Sequence, residues 1–225
     1  MRTLGLVTIG QTPRVDLVAE LRALLPPCRI LEHGALDGLA EHTIAAMAPS
    51  PGEPALTTRL ADGRAVVYRH DLAEGLVAAA VRRAESAGAD VVLLACGGSF
   101  GEIEHRKPLL RTEELAQHAV SGLAKGLRIG VLRPLADQVE PARRAWCRVL
   151  GTDQLATAVV NPFDAAPGEL AAAVAGIADQ CDLVVLDCFG FDEQMRAVAA
   201  GVFGGPVLLI RSLAARLTAE LLVGE

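Results

Sequence analysis

The sequence predicts an α/β fold of mostly parallel sheets, built as two lobes related by pseudo-twofold symmetry, with a functional site between the lobes. Strand and helix patterns alternate almost throughout, and two buried-strand runs, Val91–Ala95 and Leu183–Leu186, lead into cysteines in the same order in each half. Such alternation is typical of parallel sheets with helical crossovers. Because ligands bind at the carboxyl ends of strands in open α/β sheets, Cys96 and Cys188 are expected to face one substrate.

Composition places the chain among ordinary folded proteins and argues against two classes of partner. Its 225 residues are 52% hydrophobic and 21% charged, enough to build one large or two small cores. A net charge of −6 and only 3% aromatic residues disfavour a nucleic-acid partner. No segment approaches the roughly 20 apolar residues of a membrane span, so we expect a cytoplasmic protein that does not bind membranes.

The first half is predicted to begin with a strand at Leu4–Ile9. A helix follows to Leu25, with Thr12 as its N-cap, Pro13 in its first turn, and an apolar stripe that starts at Val15. The further elements predicted in this half are a strand at 29–32, a short helix at 37–47, a long helix at 71–87 and the strand at 91–95.

A hairpin is predicted as an insertion near 55–69, at one edge of the first lobe. Its strands, Leu56–Leu60 and Ala65–Tyr68, flank Asp62-Gly63, a pair typical of a type I′ turn.

The second half repeats the alternation of strands and helices, so the two halves are predicted to form two lobes. The predicted helices are 113–124, 135–150, 167–180, 192–200 and 212–223; the predicted strands are 128–132, 157–160, 183–186 and 207–210. We expect a first lobe of residues 1–105 plus 207–225 and a second lobe of residues 106–206.

Five cysteines without any C-x-x-C pair argue against a disulfide framework or a structural metal. Cys28, Cys147 and Cys181 are expected to fill space in the core. Cys96 and Cys188 differ because each follows a strand and precedes a glycine-containing turn. Backbone N–H groups and a following helix dipole at such a turn would lower the thiol pKa and let the cysteine act as a base.

The segment Gly97-Gly98-Ser99-Phe100-Gly101 matches the G-x-S-x-G nucleophile elbow and follows a strand. A serine hydrolase of that type needs a histidine late in the chain, yet the last one is His118. Ser99 and the glycine amides are therefore better candidates for binding a carboxylate or an enolate oxygen.

Gln11 and Arg14 follow the first strand, close to a helix N-terminus, where anions are favoured. Arg14 could hold a substrate carboxylate through two hydrogen bonds, or it could be an ordinary solvated arginine. The histidines show no metal-ligand spacing and no phosphate-binding glycine loop occurs, so no metal and no cofactor are expected.

Five segments along the chain together resemble the AroM family. They are Thr8–Asp16, Arg59–Arg64, Leu93–Cys96, Leu186–Phe191 and Ala215–Leu222. More distantly, the two-cysteine plan is similar to the aspartate/glutamate racemase superfamily, which includes hydantoin racemases, maleate isomerases and arylmalonate decarboxylases. The resemblance implies a cofactor-independent reaction at a carbon next to a carboxylate or carbonyl.

The resemblance also implies roles for individual residues. Cys96 and Cys188 would be the two catalytic thiols, and Gly97, Gly98 and Ser99 would hold the substrate carboxylate. The sequence departs from amino-acid racemases in having Gly97-Gly98 where an Asn-Thr pair is common.

A second departure lies after the other cysteine. Phe189 stands where many relatives carry Thr followed by His, with Gly190 next. The bulky Phe189 and Phe191 favour a substrate with a more apolar group, contacted by Phe189 and Gly190.

The leading hypothesis is a racemase or isomerase that transfers protons through both thiols to a small carboxylate or carbonyl substrate. One alternative is a decarboxylase or lyase that needs one thiol, and the other is a non-catalytic protein that binds a small carboxylate. The matched cysteines favour an enzyme. A homodimer is left open.

Overall fold

The computed structural model describes residues 1–123 and 125–223, in which strands and helices alternate. The strands are β1 (Thr3–Thr8), β2 (Arg29–Gly34), β3 (Ala55–Arg59), β4 (Ala65–Arg69), β5 (Val91–Ala95), β6 (Leu109–Arg111), β7 (Ile129–Arg133), β8 (Ala156–Val159), β9 (Leu183–Leu186) and β10 (Val207–Leu209). The α-helices are α1 (Val15–Leu24), α2 (Glu41–Ala45), α3 (His70–Ser86), α4 (Thr112–Leu123), α5 (Val139–Leu150), α6 (Glu169–Ala175), α7 (Glu193–Phe203) and α8 (Ile210–Leu222).

The chain divides into two compact units. The first unit comprises Met1–Thr112 and Ser212–Glu225, and the second comprises Glu113–Arg211. The sequence-based boundaries lay at 105/106 and 206/207. The difference arises because β6 extends the first sheet beyond residue 105, and because β10 pairs with β9 in the second unit. The assignment of residues 207–210 to the first lobe was therefore wrong; only the helix that follows returns to the first unit.

Each unit holds a four-stranded sheet in which every neighbouring pair is parallel. The strand order is β2-β1-β5-β6 in the first unit and β8-β7-β9-β10 in the second. Counted along the chain within each four-stranded sheet, the third strand, β5 or β9, thus lies beside the first strand, β1 or β7. The cysteine-bearing strands hold the same place in both sheets.

The hairpin β3–β4 forms a separate antiparallel pair in the first unit. Its turn is not type I′, because only Gly63 has a positive φ (+87°) and no non-glycine residue in the described ranges has one. Gly63 N–H donates to Leu60 O and Leu60 N–H to Arg64 O, which is the three-residue loop of a type I turn followed by a left-handed glycine. The one additional loop residue removes the need for a positive φ at Asp62.

The hairpin is docked against the carboxyl end of β1. Gln11 N–H donates to Arg59 O at 3.1 Å, and the buried Tyr68 hydroxyl donates to Ile9 O at 2.8 Å. It therefore packs at the carboxyl end of the first sheet, a contact that its placement as an edge insertion did not predict.

The first unit packs apolar helix faces against its sheet. On α3 the buried apolar residues, Ala73, Val77, Ala80, Val81 and Ala84, follow the helical period. On α1 the predicted start of the apolar stripe at Val15 is wrong: Leu17 and Leu21 are buried, whereas Val15 is 76% exposed.

The start of α1 also differs from the prediction. Thr12 does not cap the helix, because its N–H and hydroxyl both bind Asp37, and the helix begins at Val15. The Thr12–Pro13 peptide is cis.

Two predicted helices of the second unit are shorter than expected. A 3₁₀ turn at Ala136–Gln138 precedes α5, and α6 begins at Glu169 rather than at residue 167, because Gly168 adopts a positive φ. A second 3₁₀ turn, Ala178–Gln180, follows the end of α6. Over residues 1–123 and 125–223, no helix has the length and apolar character needed to cross a membrane.

Candidate active site

Cys96 directly follows β5, at the carboxyl end of the first sheet. Its buried Sγ accepts a hydrogen bond from Gly98 N–H at 3.2 Å. A Cβ on residue 98 would lie 3.2 Å from that Sγ and 3.1 Å from Leu56 of the hairpin. A glycine at 98 therefore lets the backbone N–H approach the sulfur closely.

The hairpin also supplies Tyr68 to the surroundings of Cys96. Burial, reinforced by the charge of a Cys96 thiolate, raises the pKa of Tyr68 well above its usual value. Tyr68 is therefore a neutral phenol at physiological pH, with its proton donated to Ile9 O.

The segment after Cys96 is anchored by two side chains that the sequence analysis missed. His70, the first residue of α3, donates from Nε2 to Ser99 O at 2.6 Å and stacks on Phe100 at 5.6 Å between ring centroids. Arg111, the last residue of β6, donates to Phe100 O. Gly97 is buried, Gly98 is half-buried and Ser99 is exposed, so Ser99 is the residue of this turn that solvent reaches most.

Gln11 and Arg14 are both engaged within the first unit. Gln11 accepts from Ala61 N–H at 3.2 Å and donates to Leu36 O at 3.4 Å, so it links the β1 turn to the hairpin. Arg14 is 3% exposed rather than solvated, and its guanidinium forms a two-point pair with Asp16 at 2.9 and 2.7 Å. The alternative of a solvated arginine is therefore wrong, whereas binding of a substrate carboxylate by Arg14 stays a prediction.

Cys188 lies in a turn of the same kind in the second unit. Its Sγ accepts from Gly190 N–H at 3.3 Å, which matches the geometry at Cys96. A Cβ on residue 190 would lie 2.6 Å from Phe163 and 2.7 Å from Pro162, so this turn also needs glycine two residues after the cysteine. Both turns share a Cys-x-Gly pattern in which the glycine N–H points at the sulfur.

A buried ion pair precedes Cys188. Arg133, the last residue of β7, donates to both the backbone oxygen and Oδ2 of Asp187 at 2.9 Å. Trp146 donates to the same Oδ2 at 2.8 Å, and Gln138 accepts from Arg133 at 2.9 Å. Asp187 is fully buried, so this carboxylate is held in place by the donors around it.

Arg211 holds the other side of the same turn. It follows β10 and is buried, with Nε donating to Phe189 O at 2.8 Å and NH2 donating to Gly190 O at 3.2 Å. Its guanidinium also lies 5.7 Å from the centroid of the Phe189 ring. Phe189 is therefore buried beneath an arginine, and Phe191 lies in the core of the second unit.

The expectation of a lowered pKa at Cys188 is wrong. Burial raises the pKa of this thiol, and this effect outweighs the Gly190 N–H and the charges of Arg133 and Arg211, all of which lower it. The turn does supply the predicted N–H donor, but taking the thiolate out of water costs more than these groups return.

The remaining cysteines lie away from such turns. Burial raises the pKa of both Cys28 and Cys181, whose neighbouring arginines oppose it only in part. Cys147 is a half-buried residue of α5, and all five thiols are free. In the described part of the chain, no cluster of three or more His, Cys, Asp or Glu side chains could hold a metal ion.

The arginines missed by the sequence analysis share one signal. Arg111, Arg133 and Arg211 each lie at or just beyond the end of a strand that neighbours a cysteine-bearing strand. Only strand pairing shows that Arg111 and Arg211 bind the turns after those cysteines and that Arg133 binds Asp187, just before Cys188. Each unit can thus offer a thiol with a backbone N–H aimed at its sulfur, on a turn held from a neighbouring strand.

The family model described as AroM protein matches residues 4–222. No curated protein matches the chain in sequence.

Solved structures match the chain over nearly its whole length. The allantoin racemase from Klebsiella pneumoniae has a TM-score of 0.65 at 14% identity, covering 98% of this chain and 87% of that chain. The glutamate racemase from Francisella tularensis subsp. tularensis SCHU S4, in complex with D-glutamate, has a TM-score of 0.64 at 13% identity, over 98% and 81%. A mutant Nocardia farcinica maleate cis-trans isomerase with a covalently bound succinylcysteine intermediate has a TM-score of 0.61 at 15% identity, over 98% and 92%. At these identities the likeness shows the fold, and it confirms the predicted racemase-like α/β class.

Proposed function

The chain belongs to the AroM family, and from that premise we propose that it is a cofactor-independent racemase or isomerase acting at a carbon next to a carboxylate or carbonyl. Its fold is that of the racemase and isomerase superfamily. The proposal assigns the reacting groups to Cys96 and Cys188 and includes the prediction that both serve one substrate.

One observation carries this proposal, namely the matched turns after β5 and β9. β5 and β9 hold equivalent places in their two sheets, and a cysteine follows each of them. In both turns the cysteine Sγ accepts a hydrogen bond from the backbone N–H of the residue two positions later. A single such turn could be a packing feature. Two of them are what a reaction with two acid–base groups requires.

In the proposed reaction, the Cys96 thiolate takes the proton from the substrate carbon, and the electron pair of the broken C–H bond moves into an enolate. The Cys188 thiol then donates its proton to the opposite face of that carbon and becomes the thiolate. Burial raises the pKa of Cys188, so it holds its proton near neutral pH, which suits the donor in this direction. The exposed Ser99 is proposed to bind the substrate carboxylate.

The test is proton NMR in D2O with a panel of chiral amino acids, hydroxy acids, hydantoins and substituted malonates. We expect the signal of the proton on the reacting carbon to disappear for one class, and to persist with Cys96→Ser or Cys188→Ser. Cys147→Ser is the matched control, because this half-buried helix residue lies outside both turns and should leave the exchange rate unchanged.

A one-thiol decarboxylase or lyase is the second candidate. It is favoured by the unlike surroundings of the thiols, since Cys96 lies near Tyr68 whereas Cys188 is held between two arginines. If one of the two Cys→Ser variants still releases carbon dioxide from a substituted malonate, the protein is a one-thiol decarboxylase or lyase. If no panel member exchanges or decarboxylates, yet one raises the melting temperature, the protein is a non-catalytic carboxylate-binding protein.

A further inference from the structure

The turn around Cys188 has its backbone oxygens occupied on both sides of the cysteine. Arg133 binds the oxygen of Asp187, and Arg211 binds the oxygens of Phe189 and Gly190. The oxygen of Cys188 itself accepts from the N–H three residues later, at 3.2 Å. Four consecutive peptide oxygens are thus held in place by these donors.

These arginines come from both neighbours of the cysteine-bearing strand. Arg133 ends β7, which pairs with β9 on one side, and Arg211 follows β10, which pairs with β9 on the other. Both side chains are almost fully buried. With the carbonyls held, the peptide after Phe189 is oriented so that the Gly190 N–H points at Sγ.

Charged groups from several elements face this thiol. The charged groups around it are Arg133 at the end of β7, Asp187 at the end of β9 and Arg211 after β10, while Glu113 of α4 acts on Arg133. Asp187 is already bound by Arg133 through both its carboxylate and its backbone oxygen. Arg211 donates to the backbone oxygens of Phe189 and Gly190, and its positive charge lowers the pKa of Cys188.

We propose that Arg211 is a positioning residue for Cys188: it holds the peptide oxygens after the cysteine, keeps the Gly190 N–H on the sulfur, and supplies the charge that stabilises the thiolate. Nothing in the family or structural matches assigns this role. The inference rests on the proposed use of Cys188 as a reacting thiol, but the state of the thiol can be measured without any substrate.

The experiment is site-resolved alkylation of the full chain by iodoacetamide as a function of pH, with the Cys188 peptide followed by mass spectrometry. Arg211→Gln keeps an amide donor but removes the charge. We expect about tenfold slower alkylation of Cys188 near pH 7 and a pH profile displaced to higher pH. A purely structural role predicts the opposite sign, because a loosened turn would expose the sulfur and speed alkylation at every pH.

Arg128→Gln is the matched control within the same unit. Arg128 is exposed, pairs with Asp182, and lowers the pKa of Cys181. This variant should slow the alkylation of Cys181 and leave Cys188 unchanged, whereas Arg211→Gln should do the reverse.

Arg211→Lys provides the rescue test. A lysine restores the charge but cannot hold two carbonyls with a planar fork, so Cys188 should react at a rate between those of wild type and Arg211→Gln. Fluorescence of Trp146, the only tryptophan, checks that the second unit is folded. If Arg211→Gln does not fold, Arg211→Lys decides alone, and alkylation as fast as wild type or faster overturns the inference.

The inference and the proposed function fail separately. Unchanged or faster alkylation of Cys188 in Arg211→Gln overturns the role of Arg211 even if wild type exchanges substrate protons. Slower alkylation in that variant supports it, even if no panel compound exchanges and the proposed function is lost.

Discussion

Replacing Arg133 with methionine removes one partner of a buried ion pair. A second Arg–Asp pair, which is exposed, links the same two strands at their other ends. Arg133 and Asp187 lie at the carboxyl ends of β7 and β9 and approach to 2.9 Å, and Arg128 and Asp182 lie just before the same strands and approach to 2.8 Å. The residue types and the distances match. Burial differs, since the side chains are 6% and 0% exposed in the first pair and 52% and 40% in the second.

The expected loss follows from what Arg133→Met leaves behind. The Asp187 carboxylate would keep the Trp146 N–H on Oδ2, whereas Oδ1 has no hydrogen-bond partner among the described residues even in the intact protein. Breaking a buried pair in this way costs about 3–5 kcal/mol. With a urea m-value of about 2 kcal/mol/M, the unfolding midpoint should fall by about 1.5–2.5 M. That is a large share of a typical stability of about 5–15 kcal/mol.

The assay is equilibrium urea unfolding followed by Trp146 fluorescence, which reports on the second unit. Arg128→Met should lower the midpoint far less, because water solvates the Asp182 carboxylate that remains. The double change Arg133→Met with Asp187→Leu should regain much of the loss, since no buried charge is left unpaired. Equal losses for Arg133→Met and Arg128→Met, or a double variant as unstable as the single one, would refute this reasoning.

Three further predictions concern the turns and two titrating groups. Gly190→Ala should destabilise the protein by about 1–3 kcal/mol, because its Cβ would lie 2.6 Å from a carbon of the Phe163 ring. Gly98→Ala, whose Cβ would have no contact under 3.1 Å, should lower the thermal unfolding midpoint less. The reverse order of the two variants would contradict the packing. Burial lowers the pKa of His33, so the unfolded chain binds its proton more readily and stability should fall as the pH drops below about 6.5. In His33→Gln the urea midpoint should change less between pH 7 and pH 5 than in wild type. The same pH dependence in both proteins would argue against this role of His33. Hydrogen bonds from Arg128 lower the pKa of Asp182 to about 2, so the contribution of this pair to stability is complete above about pH 4 and is lost as the pH falls through 2. NMR of the Asp182 carboxyl should show a titration midpoint at that pH, and the midpoint should rise in Arg128→Gln. A wild-type midpoint near 4 would disprove the pairing in solution.

Sequence patterns were sufficient for the features that depend on neighbours along the chain. Uninterrupted aliphatic runs bounded by turn residues predicted β5 and β9 at their observed bounds. The alternation of strands and helices predicted the parallel sheets, because a parallel pair needs a crossover. The glycines after Cys96 and Cys188 also marked the two turns, since a close approach of the backbone N–H to sulfur leaves no room for a Cβ.

The residues that surround the cysteines could not be predicted from patterns along the chain. Arg133 and Arg211 are far from Cys188 along the chain and adjoin its turn only because β7 and β10 pair with β9. The same pairing overturned the assignment of residues 207–210 to the first lobe. The short strand β6 carries no pattern of its own, because its three residues form a strand only through pairing with β5.

The sequence by itself determined the fold class and the location of the two cysteine turns, because both depend on local periodicity and on residues within a few positions of one another. Tertiary structure alone decided the electrostatics of those turns. Arg14 is bound by Asp16 instead of being solvated, Arg211 covers Phe189, and burial raises the pKa of Cys188. The free energy of a charge depends on which groups and how much water lie within a few ångströms, and strand pairing brings those groups together from distant parts of the chain.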